Sequence, residues 1–259
     1  MFMMKHYWLC KTMISTSDTE LTYDAFLGGK LHLWQPRRGY RAGVDPVLLA
    51  ASVEAKAGQS VLDLGCGVGT AALCLSARVP GLKVLGIERQ SLYAELATRN
   101  GLDVVRADLT KLPAKITQLR FDHVLANPPY FDRREGDAAA DPGREGALGI
   151  DTPLKEWVGT AARHLRHKGY LYMIHRVERL PDILAAAMGQ LGSIEIWPLC
   201  PRAGKAAELL IFRARKNGKA KFRLQAPLIL HTGTAHVVDG DSYRPEIQAV
   251  LREGMGLLQ

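Results

Sequence analysis

The segment Phe121-Asp-His-Val-Leu-Ala-Asn-Pro-Pro-Tyr130 joins an apolar strand to side chains that could hold a flat, amino-bearing molecule. Proline cannot donate a hydrogen bond to a sheet, so Pro128 and Pro129 must end the strand. The two prolines also stiffen the loop that carries Asn127 and Tyr130. In open α/β sheets, ligands bind at this carboxyl edge. We therefore predict that Asn127, Pro128 and Tyr130 are catalytic.

A glycine-rich turn, Asp63-Leu-Gly-Cys-Gly-Val-Gly69, follows an earlier apolar strand and precedes a helix. Glycines permit a tight turn and close approach of a ligand to the backbone. The first N–H groups of the next helix favour a negatively charged group. The spacing differs from the G-x-G-x-x-G pattern of dinucleotide sites, and the turn has no Walker lysine. This spacing disfavours a nicotinamide enzyme.

Two acidic residues, Glu88 and Asp108, end the next two apolar segments. Each alone could be a helix cap or a surface charge. Together with Asp63, they offer polar groups at three successive strand ends, and parallel strands bring such ends to one edge of a sheet. Glu88 could accept hydrogen bonds from two ribose hydroxyls, and Asp108 could meet an adenine amine.

The elements that position these groups alternate between strand and helix. Repeated βα units predict a parallel sheet with helices on both faces. We predict strands over 60–64, 83–88, 103–108, 121–126 and 169–175, then an antiparallel pair over 193–199 and 206–215 that closes the sheet. Asn217-Gly218 predicts a hairpin leading to a further strand over 221–231. Asp45-Pro46 predicts a helix start with Asp45 as the N-cap.

Composition indicates a globular protein with a polyanionic partner. The chain has 259 residues, 47% of them hydrophobic, and a net charge of +8. A net positive charge of this size favours RNA or DNA as the partner. A basic surface without a partner is the alternative. The four cysteines lack metal-like spacing, which predicts buried thiols, no metal site and a reducing cytoplasm. No apolar run approaches the ~18 residues of a membrane span, and the first residues do not resemble a signal peptide.

These motifs together resemble the class I S-adenosylmethionine-dependent methyltransferases that carry an Asn-Pro-Pro-Tyr motif. The resemblance covers about residues 40–215. It implies an α/β, Rossmann-like sheet of seven strands with helices on both faces and an antiparallel closing hairpin. It also implies that Asn127 and Tyr130 hold a substrate amine. The cofactor-binding residues it implies, with their neighbours, are Tyr40, Arg41, Gly43, Asp63, Gly65, Cys66, Gly67, Gly69, Glu88, Arg89, Asp108, Leu109 and Asn127.

A narrower resemblance points to RNA as the substrate. The segment Gly39-Tyr-Arg-Ala-Gly-Val-Asp-Pro-Val-Leu-Leu-Ala-Ala51 is similar to the bacterial tRNA adenine-N6 methyltransferases that modify valine tRNA next to the anticodon. Enzymes that methylate a glutamine amide in release factors share the motif but usually carry an N-terminal helical domain, for which residues 1–39 leave no room. Ribosomal guanine-N2 methyltransferases, and an RNA-binding module that binds cofactor without catalysis, remain alternatives.

Candidate RNA contacts lie in two basic segments. The first follows the catalytic motif: it begins with Phe131 and continues with Arg133 and Arg134 in a charged, glycine-rich stretch over 132–152. This stretch is a candidate lid or a plain solvated insertion. The second is the basic run at 213–223, from which we predict that Arg215, Lys216 and Lys219 follow phosphates; a solvated turn is the alternative. We expect residues 1–39 to form an extension with a short hairpin, and 40–259 the methyltransferase domain with a C-terminal strand and helix.

Overall fold

A computed structural model of the chain describes residues 20–130, 152–233 and 242–258. The strands are β1 (Leu21–Phe26), β2 (Leu31–Pro36), β3 (Ser60–Leu64), β4 (Lys83–Glu88), β5 (Val104–Arg106), β6 (Phe121–Ala126), β7 (Leu165–Arg176), β8 (Leu191–Cys200), β9 (Leu209–Lys216), β10 (Arg223–Leu224) and β11 (Leu228–Ile229). The α-helices are α1 (Asp45–Ser52), α2 (Thr70–Arg78), α3 (Ser91–Arg99), α4 (Ala114–Thr117), α5 (Leu154–His164), α6 (Leu180–Ala187) and α7 (Pro245–Gln248). A π-helical turn, Ala249–Glu253, continues α7.

The central sheet is mostly parallel, which confirms the predicted α/β fold. Its strand order is β10-β8-β9-β7-β6-β3-β4-β5, with β11 also pairing with β8. Strands β3 to β7 run parallel to one another. Strand β9 runs antiparallel to both β7 and β8. Because β3 to β7 share one direction, their carboxyl ends meet at a single edge, which we call the carboxyl edge.

Helices cover both faces of this sheet. On one face, α4, α5 and α6 pack through Ile116, Trp157 and Ile183. On the other, α1, α2 and the C-terminal helical segment pack around Leu49 and Leu75. Burial of these apolar side chains is the main stabilising contribution, at roughly 25 cal/mol per Å² removed from water. The two faces hold the strand ends in fixed relative positions.

The C-terminal part of the sheet differs from the sequence prediction. Within the described residues the sheet has nine strands rather than seven, because β10 and β11 each add a two-residue pairing to β8. The Asn217-Gly218 turn forms no hairpin between β9 and the next strand. Both edges of β9 are already occupied by β7 and β8, so the chain crosses over and pairs in parallel with β8.

Strands β1 and β2 form a separate antiparallel hairpin that packs on the C-terminal segment. The Lys30 ammonium donates a hydrogen bond to the Glu253 carbonyl over 2.9 Å. Gly28 lies so close to the Arg252 carbonyl that a Cβ would be 2.5 Å from its oxygen. The predicted division at residue 39 stays a prediction.

The thiols of Cys66 and Cys74 are free and buried, as predicted. Within the described ranges, no helix has both the length and the apolar character needed to cross a bilayer.

Candidate active site

A cleft opens at the carboxyl edge, where β3, β4 and β6 end. It is lined by the glycine turn after β3, the acidic end of β4, the segment after β5 and the Asn-Pro-Pro-Tyr segment after β6. Its predicted lining residues are Tyr40, Asp63, Gly65, Cys66, Gly67, Glu88, Arg89, Asp108, Leu109, Asn127, Pro128 and Tyr130. The structure therefore brings together groups that are up to about ninety positions apart in the sequence.

The glycine turn passes close to the Trp157 and Tyr40 side chains. Gly65 and Gly67 have φ angles of 62° and 56°, in the left-handed region that favours glycine. A Cβ on Gly65 would overlap the indole of Trp157, while one on Gly67 would stay 4.0 Å from the Tyr40 ring. Trp157 thus forms a wall of the cleft and fixes the turn at Gly65.

Glu88 ties the end of β4 to this turn. Its carboxylate accepts hydrogen bonds from the backbone N–H of Gly67 over 3.0 Å and of Gln90 over 2.7 Å. Burial raises the pKa of Glu88, and these two bonds partly offset that effect. Carboxylate oxygens have additional lone pairs, so Glu88 can still accept hydrogen bonds from a ligand's hydroxyl groups.

Asp63 is buried at the base of the cleft, with 2% of its surface exposed. Burial, together with repulsion from Glu88, raises the pKa of Asp63 to about 7, although a hydrogen bond from the Ala72 backbone lowers it in part. The Asp63 Oδ2 and Thr70 Oγ1 atoms are buried without a hydrogen-bond partner. Buried polar atoms without a hydrogen-bond partner destabilise a folded protein and are rare. Their presence in the cleft lining indicates a place for a polar, cationic ligand group.

Asp108 lies at the outer side of the same cleft. The Thr110 N–H and hydroxyl donate to Asp108 Oδ1 over 2.8 and 2.7 Å. These bonds lower the pKa of Asp108 below its usual value, so this carboxylate is ionised at neutral pH. Leu109 beside it is buried and provides an apolar surface.

The Asn-Pro-Pro-Tyr segment is anchored by Asp45 at the start of α1. The sequence predicts Asp45 as an N-cap, but the helix begins at Asp45 itself, with Val44 in the cap position. Instead of capping, Asp45 Oδ2 accepts a hydrogen bond from the Tyr130 hydroxyl over 2.7 Å. That partner is 85 positions away in the sequence, and no local pattern indicates it.

The rings around Tyr130 are neutral. Burial, with the nearby Asp45 carboxylate, raises the pKa of Tyr130, so the phenol stays protonated. The His175 ring centroid lies 5.3 Å from that of Tyr130. Burial and Arg179 lower the pKa of His175 to about 4. The Arg176 backbone N–H donates to His175 Nδ1 over 2.8 Å, which places the imidazole proton on Nε2.

Tyr40 and Asn127 both line the cleft. Burial, followed by the Asp45 carboxylate, raises the pKa of Tyr40 to about 12, and the Asn127 side chain partly offsets the rise. The Asn127 amide has both donor and acceptor atoms, so its carbonyl oxygen can accept a hydrogen bond from a ligand amine.

Three predicted cofactor-binding residues lie outside the cleft lining. The Arg41 guanidinium forms an ion pair with Asp24 over 2.7 Å. Gly43 faces a neighbouring cavity between the hairpin, α1 and the C-terminal segment. Gly69 is the N-cap of α2, with φ 91°, and a Cβ added there would lie 3.1 Å from the Leu102 side chain.

The predicted RNA contacts of the second basic segment lie away from this edge. Phe131, Arg133 and Arg134 lie outside the described residues, as does the candidate lid apart from its last residue, Thr152, which lines the cleft. Arg215 pairs with Tyr170, which in turn pairs with His123 on β6. His123 precedes Asn127 by four residues, so Arg215 lies on the order of 13 Å from the level of Asn127, toward the amino edge of the sheet. Lys216 and Lys219 follow it toward the amino edge. Because β9 is antiparallel, its basic end points away from the cleft.

Sequence reasoning missed Trp157, Gln90 and Tyr93 in the cleft lining. Trp157 has a buried position on α5, a helix expected only to cover the sheet. Gln90 and Tyr93 lie within five positions after Glu88, so their proximity to the end of β4 was the available signal. Among the described side chains, there is no group of three or more His, Cys, Asp or Glu residues that could hold a metal ion.

Comparison with known proteins identifies the family. Residues 42–196 match the model of the methyltransferase small domain. A relative from Porphyromonas gingivalis, named tRNA1(Val) (adenine(37)-N6)-methyltransferase, is 31% identical over 224 residues, which cover 80% of this chain and 85% of that protein.

Two solved structures share the fold. A predicted O-methyltransferase from Agrobacterium tumefaciens superposes with a TM-score of 0.64 at 27% identity, covering 82% of this chain and 96% of that one. The T. thermophilus 16S rRNA N2 G1207 methyltransferase, in complex with AdoMet and guanosine, superposes with a TM-score of 0.53 at 21% identity, covering 76% of this chain and 50% of that one.

The cleft fits S-adenosylmethionine. The unpaired Asp63 Oδ2 could accept a hydrogen bond from the cofactor's cationic amino group. The Glu88 carboxylate could accept from its ribose hydroxyls, and the Asp108–Leu109 side of the cleft has room for its flat base. The glycine turn leaves room for a ligand against the backbone. The chain belongs to the methyltransferase small domain family and is an S-adenosylmethionine-dependent methyltransferase.

Proposed function

We propose that this enzyme methylates the exocyclic N6 amine of an adenine in tRNA, next to the anticodon of valine tRNA, in the cytoplasm. The observation that carries the proposal is the position of Asn127, Pro128 and Tyr130 in the lining of the cleft that fits the cofactor. The Asn127 side-chain oxygen at this place could accept a hydrogen bond from a substrate amine.

An adenine amine is a poor nucleophile because its lone pair is delocalised into the ring. Two acceptors, the Asn127 side-chain oxygen and the Pro128 carbonyl, would bind its two hydrogens. This would favour a pyramidal nitrogen and increase the negative charge on it during transfer, so positioning and electrostatics carry the step. When bound, S-adenosylmethionine would supply an electrophilic methyl group and leave as S-adenosylhomocysteine, and the methylated nitrogen would lose one proton to solvent.

Tyr130 would provide a face for the base. Its hydroxyl is held by Asp45 and stays protonated, so we assign it a stacking role rather than that of a base. Stacking of a base on an aromatic side chain is worth about 1–3 kcal/mol. An adenine paired or stacked in RNA must first turn out of its stack to reach such a pocket.

Two further observations support tRNA as the substrate. The relative from Porphyromonas gingivalis bears the name of this activity and aligns over most of both chains. The net charge of +8 favours a polyanionic partner.

The proposal is tested by nucleoside mass spectrometry of tRNA from a strain that lacks this gene. We expect loss of N6-methyladenosine from valine tRNA and its return when the wild-type gene is restored. Unchanged tRNA nucleosides would contradict the proposal. Loss of a methylated glutamine from a release factor, or of N2-methylguanosine from rRNA, would assign the amide or guanine alternative. If purified protein binds cofactor but labels no RNA or protein, the non-catalytic alternative holds.

A further inference from the structure

The outer face of the β1–β2 hairpin presents three aromatic rings, which we call the hairpin aromatic face: Tyr23, His32 and Trp34. The Tyr23 ring stacks on His32 with centroids 5.2 Å apart and an interplanar angle of 27°. It also lies 4.7 Å from the Trp34 ring at 34°. Across the strands, Tyr23 pairs directly with Trp34. Three rings from two strands thus form one continuous surface.

Tyr23 and His32 are exposed to solvent and Trp34 is half-buried, whereas the opposite face of the hairpin packs inward. Tyr23 is 56% exposed, while Leu33 on the opposite face is fully buried. The guanidinium of Arg99 lies 4.0 Å from the centroid of the Trp34 ring, adding a positive charge next to the rings. Large exposed aromatic surface is unfavourable in water and indicates a binding surface when it is contiguous.

The hairpin aromatic face is fixed to the wall of the active-site cleft. The Trp34 backbone N–H donates to Asn100 Oδ1 over 2.7 Å, and Asn100 Nδ2 donates to the carbonyls of Trp34 and Val68 over 3.1 and 3.0 Å. Val68 lines the cleft. Trp34 also packs in one cluster with Tyr40 and Tyr93, two further lining residues. A polymer entering the cleft would meet this face beside it.

The hairpin segment has a net positive charge. Residues 20–41 carry four basic and two acidic side chains, and one of those acids, Asp24, is already paired with Arg41. Exposed aromatic rings beside basic side chains are typical of surfaces that bind unpaired nucleotides, because bases stack on the rings and phosphates lie near the cations.

We propose that the hairpin aromatic face binds RNA, with an unpaired nucleotide of the substrate stacked on Tyr23. This inference rests on the proposed function, since it assigns a second contact to the same RNA. The nucleotide lies outside the catalytic pocket, so the face determines RNA affinity and leaves methyl transfer from the bound complex unchanged.

The test compares RNA affinity and kinetics for Tyr23→Ala with those for Met188→Ala. Met188 follows α6, is 76% exposed and lies outside both basic segments. The measurements are the Kd for bulk tRNA from the gene-deletion strain, the KM and kcat for its methylation, the Kd for S-adenosylmethionine and the Tm. Tyr23→Ala should raise the RNA Kd and the KM by roughly 5- to 150-fold, with kcat and cofactor Kd unchanged, while Met188→Ala should match wild type.

Two further variants separate stacking from packing and charge. Tyr23→Leu keeps apolar volume without an aromatic face and should lose RNA affinity like Tyr23→Ala, whereas Tyr23→Phe should retain it. Arg99→Gln should reduce the slope of log Kd against log salt by about one, and Tyr23→Ala should leave that slope unchanged.

Wild-type RNA affinity in Tyr23→Ala and Tyr23→Leu would overturn the inference while leaving the proposed function intact. A change in oligomeric state with wild-type RNA affinity would also overturn it, by assigning the face to a second copy of the chain. If wild-type enzyme neither binds nor methylates RNA, both this inference and the proposed function fail.

Discussion

Removing the hydroxyl of Tyr130 tests whether Asp45 holds the aromatic ring in place for the substrate. The two groups share a hydrogen bond of 2.7 Å, and burial raises the pKa of Asp45, which this bond partly offsets. Tyr130→Phe keeps the stacking face but leaves the carboxylate without its donor. A hydrogen bond to a charged group contributes about 1.5–3 kcal/mol, which corresponds to roughly 10- to 150-fold in kcat/KM if it is fully expressed in the transition state.

The assay is single-turnover methyl transfer to unmodified tRNA, with the Kd for S-adenosylmethionine measured in parallel. Tyr172→Phe is a matched control, since it removes another buried tyrosine hydroxyl, one that accepts from the Glu54 N–H over 3.4 Å and lies outside the cleft lining. We expect Tyr130→Phe to lose activity with near-wild-type cofactor affinity, and Tyr172→Phe to keep activity.

A double-mutant cycle then assigns the loss to the bond itself. If Asp45 acts on the substrate through Tyr130, Asp45→Ala combined with Tyr130→Phe should cost little more than either change alone. Wild-type kcat/KM in Tyr130→Phe, or fully additive losses in the double variant, would refute the positioning role.

Three other predictions concern the cofactor. Because burial raises the pKa of Asp63 to about 7, binding a cationic amino group requires proton release below that pH. The Kd for S-adenosylmethionine, measured by calorimetry, should therefore rise by about tenfold for each pH unit below about 7. Asp63→Asn should abolish this pH dependence. Glu88→Ala removes the acceptor for two backbone N–H groups and should weaken cofactor binding by roughly tenfold or more; unchanged calorimetric affinity would contradict this. Gly65→Ala should abolish cofactor binding, because the new Cβ would overlap Trp157. Gly58→Ala is the control: Gly58 has a φ of 87° and nothing within 4 Å of the added Cβ. It should lower the free energy of unfolding by only about 1–2 kcal/mol and keep cofactor binding.

The strand ends were predictable from sequence because each is set by a local pattern. Apolar runs that stop at Asp63, Glu88 and Asn127 predict strands, and parallel topology then brings their ends to one edge. The position of Asp45 was not predictable, since its hydrogen-bond partner is chosen by the packing of α1 against the edge rather than by its neighbours in sequence.

The basic run near Arg215 shows a different limit. Its composition is visible in the sequence, but its location depends on the direction of β9, and pairing of β9 with both β7 and β8 directs it to the amino edge. Similarly, the hairpin signal at Asn217 describes only a local turn. Which strand edge remains free is a property of the whole sheet.

The most direct test of the account is single-turnover transfer of labelled methyl to unmodified tRNA by wild type and Asn127→Ala. Loss of one preorganised hydrogen-bonding group in an active site costs about 10²- to 10³-fold in rate. We predict a loss of this size in a variant that still binds S-adenosylmethionine, and wild-type label recovered as N6-methyladenosine. Transfer by Asn127→Ala at the wild-type rate, or label in another nucleoside, would contradict the account.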